Sequence, residues 1–170
     1  MNFTTHFDTE QLLASETASS HGFTEQFSPP DAVLTNLKDL CENVLEPLRE
    51  KLGRPVKVSS GYRCQRLNEA IGGEPNSQHR CTGGNTAADT VVADMDIQDW
   101  YYFIKTSGIA FDELIIEHDS HWNMWCHISY DRNKPMQRGI CMIGKKLDTG
   151  GTECVADGYG SFIANQNLQN

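Results

Sequence analysis

Apolar residues return every three or four positions across residues 28–52: Val33, Leu37, Leu40, Val44, Leu45, Leu48 and Leu52. That spacing puts them on one face of a helix and predicts an amphipathic element packed on a core. The segment opens with SPPD, so Ser28 is the expected cap, the prolines fall where a helix misses no donor, and an acid follows in the first turn. Pro47 predicts a kink or a split, and Gly53 ends the pattern. Past Gly53 the period shortens and glycines multiply. PVKVSSGYR predicts a strand running into a turn, RLNEAIGG a short helix, and AADTVV another strand. DIQDWYYFIKTSG predicts a second helix, capped by Asp96 and stopped at Gly108. Further strands are expected at residues 111–117, 124–130 and 138–144. Residues 1–27 are polar and mixed, with short apolar pieces such as QLLA. Residues 147–170 are rich in Gly, Asn and Gln and predict a poorly packed, flexible tail. Helices first, then strands with one helix among them, predict an α+β domain with a mostly antiparallel sheet and packed N-terminal helices.

Composition narrows the functional classes. At 170 residues the chain is the size of one domain and can bury a core without disulfides. A single domain over residues 1–146, followed by the tail, is the expectation. No run of eighteen apolar residues exists, and MNFTTHFDTEQLL has neither a basic start nor an apolar stretch. Neither a membrane span nor a secretory signal is expected, so synthesis in the cytoplasm is. With 14 Lys plus Arg against 23 Asp plus Glu, the net charge of −9 argues against a nucleic-acid partner. The six cysteines form no C-x-x-C pair, which excludes a zinc ribbon or a thioredoxin-type motif and favours free thiols, although an even count leaves pairing open.

Candidate chemistry begins at SQHRCTGGNTAAD, where His79 and Asp89 stand ten positions apart. A catalytic zinc site takes three ligands of the His, Asp or Glu kind and leaves a position for water. MWCHISY offers the third: alternation puts Trp125, His127 and Ser129 on one strand face and Met124, Cys126 and Ile128 on the other. Each of these residues alone is more often a turn, capping or ordinary strand residue. Their combination is more specific.

SSGYRCQRLNEAIGG, SQHRCTGGNTAAD, FDELIIE and WCHIS, in that order, resemble the M15 family of zinc peptidases, which shares its fold with D-Ala-D-Ala carboxypeptidases and the Hedgehog signalling domain. The match is best to a branch of small bacterial and phage proteins and covers about residues 5–145. The resemblance implies one Zn²⁺ held by His79, Asp89 and His127. The family usually places its aspartate seven residues after the histidine, so CTGGNT reads as a three-residue insertion in a surface loop, with Asp94 and Asp96 as competing ligands. It also implies Arg63 as the oxyanion-stabilising cation, against a structural pair with Glu69 or Glu74. Many members carry an acid three residues before the last histidine, where this chain has Met124. The resemblance then implies Glu117, which matches the acid at the end of the preceding strand in this branch and in the Hedgehog-type arrangement, as the general base; its plain alternative is a solvated strand-end carboxylate. Ser77, Gln78, Trp125 and His118 are the expected substrate contacts. The implied substrate is a peptidoglycan stem or cross-link peptide, cut by a carboxypeptidase or an endopeptidase that acts on the cell wall after release, as a phage lysis or virion protein would. The rival expectation, prompted by Met124, is a catalytically inactive metal-binding module of the same fold.

Overall fold

The apolar face of residues 28–52 is buried as one rod in three parts: α3 (Asp31–Leu40), a π-helical turn (Cys41–Leu45) and α4 (Glu46–Leu52). In this computed structural model, which describes residues 1–146 and 152–157, every apolar residue of that pattern is buried except Leu52, which is partly so. Pro47 neither splits the rod nor stops it. Proline has no N–H for the carbonyl four residues back and its ring crowds it; the π turn, in which the Glu46 N–H reaches the Cys41 carbonyl, widens the helix just before the proline and relieves the clash. The start also differs from expectation. Pro30 occupies the cap position without a side-chain bond, while Ser28 closes a preceding 3-10 turn (Thr24–Phe27).

Residues 1–27 are more structured than their mixed pattern suggests. They form α1 (Thr9–Leu13), with a reciprocal capping box between Asp8 and Gln11, and α2 (Glu16–His21), capped by Ser15 and ended by left-handed Gly22. Phe3, Phe7, Leu12 and Ala18 carry these turns into the core. Buried Gln26 donates to the Leu13 and Tyr62 carbonyls and accepts from the Cys64 N–H, tying the N-terminal helices to the loop after the first strand.

The sheet has six strands: β1 (Lys57–Ser60), β2 (Asn85–Val91), β3 (Glu113–His118), β4 (Met124–Asp131), β5 (Ile140–Lys146) and β6 (Thr152–Ala156). Their order is β1-β2-β4-β3-β5-β6. All neighbours are antiparallel except β3 and β5, which run parallel. α5 (Gln65–Ala70) lies between β1 and β2 in sequence, and α6 (Ile97–Thr106), capped by Asp96 as expected, lies between β2 and β3. Alternation sorts the strands into two faces. Ala88, Leu114, Ile116, Cys126 and Ile128 point into the core under α3 and α6, where the Trp100 indole donates to Thr90 Oγ1 at 3.0 Å. The opposite face carries Asp89, Ile115, Glu117, Trp125 and His127.

β6 falls inside the segment expected to be a tail. Thr152–Ala156 pairs along β5, and buried Asp157 accepts from Tyr101 Oη at 2.6 Å and Lys105 Nζ at 2.7 Å. Those anchors on α6 explain why residues 152–157 pack here; residues 147–151 and 158–170 of the expected tail lie outside the described residues. All six cysteines are free thiols.

Candidate metal centre

Antiparallel register sets Asp89 of β2 directly opposite His127 of β4, and a 3-10 turn (Gln78–Arg80) delivers His79 to the same point. His79 Nε2 lies 3.1 Å from Asp89 Oδ1 and 3.2 Å from His127 Nδ1, and His127 Nδ1 lies 3.1 Å from Asp89 Oδ1. All three residues are buried. Tetrahedral zinc with bonds of 2.0–2.1 Å holds its ligand atoms roughly 3.3 Å apart, so this donor set fits such an ion and can hold it. The long interval between His79 and Asp89 is taken up by a loop in which Cys81, Gly83 and Gly84 are left-handed, before β2 begins. A side chain at Gly84 would run into Asn133, which explains a glycine there. The competing acids are elsewhere: Asp94 sits in a left-handed turn, and Asp96 accepts from the Gln98 N–H at the start of α6.

Outer contacts orient the three side chains. His79 Nδ1 lies 2.8 Å from the Gly61 carbonyl, which can only accept, so Nδ1 carries the proton and Nε2 presents a lone pair. His127 Nε2 lies 2.7 Å from Gln78 Oε1. Arg63 holds the far oxygen of Asp89, with Nη2 2.8 Å from Oδ2, while its Nε donates to Ser60 Oγ and its backbone N–H to the His79 carbonyl. Arg63 therefore pairs with neither Glu69 nor Glu74; Glu69 is engaged by Gln65.

Electrostatics follow from this packing. Burial, with Arg63 nearby, pushes the His79 imidazole down to about 4, which keeps it in the neutral form that binds a metal. Burial alone would raise the Asp89 carboxyl, but His79, His127 and Arg63 outweigh it and hold Asp89 well below the usual carboxylate range. His127 moves the other way: burial lowers it, yet the hydrogen bond and charge of Asp89, with Glu117 beyond, raise it.

A cavity of about 220 Å³ opens beside the cluster, and Arg63, Ser77, Gln78, His79, Glu117 and His127 all line it. Glu117 pairs in register with Trp125, two positions along from the Ile115–His127 pair and on the same face, and accepts from the Trp125 indole N–H at 2.7 Å through Oε2. Met124 packs against the core on the opposite face. His118 is not among the residues lining the cavity; its ring stacks on Trp122 at 4.3 Å, and its Nδ1 meets the Asp119 carbonyl. Three contributors carry no chemical signal in the sequence. Gly61 acts through its backbone, Ser60 only through Arg63, and Thr152 reaches the cavity wall only because β6 lies beside β5. The SSGYR motif marks the first two by position, and nothing marks the third.

No curated protein matches the chain. A family model described as Peptidase M15 matches residues 5–129, a span that contains the clustered His79, Asp89 and His127 with Arg63 and Glu117 and ends before β5. With most of its length matched and a His-Asp-His cluster at the expected motifs, the chain belongs to the peptidase M15 family.

Proposed function

We propose that the protein is a zinc-dependent hydrolase of amide bonds in peptidoglycan stem or cross-link peptides, with a single peptidase domain that extends past residue 146 to include β6, and with the Hedgehog-type arrangement that the sequence resembles. The observation that carries this reading is the convergence of His79 Nε2, Asp89 Oδ1 and His127 Nδ1 on one point beside a cavity that Glu117 also lines. Zinc held by those atoms would supply a Lewis acid for the scissile carbonyl and a bound water of lowered pKa. The chain's own groups do the rest. Glu117, with Oε2 occupied by Trp125, keeps Oε1 to accept the proton of the attacking water and return it to the leaving amine. Arg63, fixed by Asp89 and Ser60, keeps Nη1 as a permanently charged donor for the developing oxyanion. Ser77 offers a hydroxyl at the cavity wall for a polar group of the peptide. Action on the cell wall as a phage lysis or virion protein extends the same proposal and is supported by resemblance to the small phage branch. The rival without turnover rests on Met124, which packs against the core, and is separated from this reading by the hydrolysis test below.

The test is elemental zinc on purified protein, followed by digestion of isolated peptidoglycan and of peptides ending in D-Ala-D-Ala. We expect about one zinc per chain, lost in His127→Ala. Glu117→Gln should keep its zinc and lose hydrolysis by about 10²- to 10⁴-fold. A zinc-loaded wild type that leaves both substrates intact would overturn the proposal.

A further inference from the structure

We propose that Gln78 is a positioning residue that fixes which nitrogen of His127 faces the metal position, an inference that rests on the metal-centre reading above. His127 is held from two sides. Its Nδ1 lies 3.1 Å from Asp89 Oδ1 and 3.2 Å from His79 Nε2, and its Nε2 lies 2.7 Å from Gln78 Oε1. A neutral imidazole has one N–H and one lone pair. Asp89 Oδ1 and Gln78 Oε1 both accept, so they compete for the single proton of the neutral ring; the shorter contact, 2.7 Å to Gln78 against 3.1 Å to Asp89, favours the proton on Nε2 and leaves the Nδ1 lone pair aimed at the point shared with Asp89 and His79. With the amide reversed, Nδ1 would carry a hydrogen into that point and bar an ion.

The sequence neighbourhood gives this contact a purpose. Gln78 and His79 are consecutive in one 3-10 turn, yet they serve different ligands: His79 is a ligand itself, and Gln78 reaches across to the ligand on β4. A single short turn thus sets two of the three donors. On the nitrogens turned away from the shared point, both imidazoles meet uncharged oxygens, the Gly61 carbonyl for His79 and the Gln78 amide for His127. An amide orients the ring without adding charge behind it, whereas a carboxylate there would make the ring a more basic ligand. Gln78 therefore sets both geometry and ligand strength, a role separate from the substrate contact that its motif suggests.

The experiment compares wild type, Gln78→Leu and Gln78→Glu by two readouts. The first is the nitrogen-15 NMR spectrum of the His127 ring in metal-free protein, at a pH where the ring is neutral. The second is the zinc dissociation constant from chelator competition. Wild type should show a single tautomer with the proton on Nε2, Gln78→Leu a tautomer mixture, and Gln78→Glu the wild-type tautomer again. Zinc affinity should fall about 10- to 100-fold in Gln78→Leu and be at least restored in Gln78→Glu. If Gln78→Leu fails to fold, Gln78→Asn, one methylene shorter and out of reach, is read the same way. A proton on Nδ1 in the wild type, or ring shifts and zinc affinity unchanged in Gln78→Leu, would overturn the inference. A wild type that binds no zinc but shows the Nε2 proton, lost in Gln78→Leu, would overturn the metal-centre reading and leave Gln78 as the residue that orients the ring.

Discussion

At the scale of single residues, the indole of Trp125 is hydrogen-bonded to Glu117, and under the proposed function that bond sets how the base is held. Its N–H occupies Glu117 Oε2 at 2.7 Å, holding the carboxylate by one oxygen while the other remains for a proton. A hydrogen bond to a charged group is worth about 1.5 kcal/mol, or roughly tenfold in rate. Trp125→Phe should therefore lower kcat about tenfold with zinc content and KM little changed, measured on whichever peptide the wild type cleaves. A fall in KM-weighted affinity alone would point back to substrate contact. His79, Asp89 and His127 were legible in the sequence because their side chains are themselves the donors and the motifs keep their order. The Gly61 carbonyl and the bond between Gln78 and His127 were not, because they arise only when residues 18 and 49 positions apart are folded together.

Elements set how tightly those residues are placed. Gly61 follows β1 where α1 passes so closely that a Cβ would overlap the Leu12 carbonyl, while the Tyr62 N–H donates to that same oxygen at 2.8 Å. Gly61→Ala should thus destabilise the fold by about 1–3 kcal/mol and, by shifting the carbonyl that holds His79, weaken zinc binding as well. Urea unfolding and chelator competition on the one variant check both effects; a loss of stability with unchanged zinc affinity would show that the carbonyl's place is not critical. The strands and the long helical rod were readable because each repeats its period several times. α1 and α2 were not, since helices of 5 and 6 residues complete too few turns to display a stripe. Nor could periodicity show that β5 runs parallel to β3, because alternation carries no direction.

Across the whole molecule, one buried acid secures the connection that leads into β5. Asp112 accepts from Arg138 Nε and Nη2 at 2.8 and 2.5 Å and from Lys134 Nζ at 2.8 Å. Burial would raise its carboxyl, but those cations hold it below the usual range. A depressed folded pKa means that the unfolded chain binds the proton more readily. The stabilisation is then complete above about pH 4 and is lost as the pH falls through the folded value. Asp112→Asn should cost about 2 kcal/mol at pH 7 and flatten the acid limb of the stability curve, as read by urea unfolding at pH 7 and pH 3. Chain termination at residue 146 probes the other end of the sheet. It removes β6, strips β5 of its outer neighbour and takes Thr152 from the cavity wall. We expect lower stability, self-association through the bared edge and a changed KM; a truncated chain that matched wild type in sedimentation and kinetics would show β6 to be dispensable.

The two segments bearing His79 and Arg63 are stitched in both directions. The Arg63 N–H donates to the His79 carbonyl at 2.8 Å, and the His79 ring donates to the Gly61 carbonyl at 2.8 Å. Neither bond involves an ion, so the ordering entropy of this corner is met during folding. In that respect the protein should differ from small zinc domains that exist as folded units only when loaded. Here the ion would be a removable insert in a finished socket: chelation should leave the circular dichroism intact, and refilling should be limited by how fast the ion sheds its water.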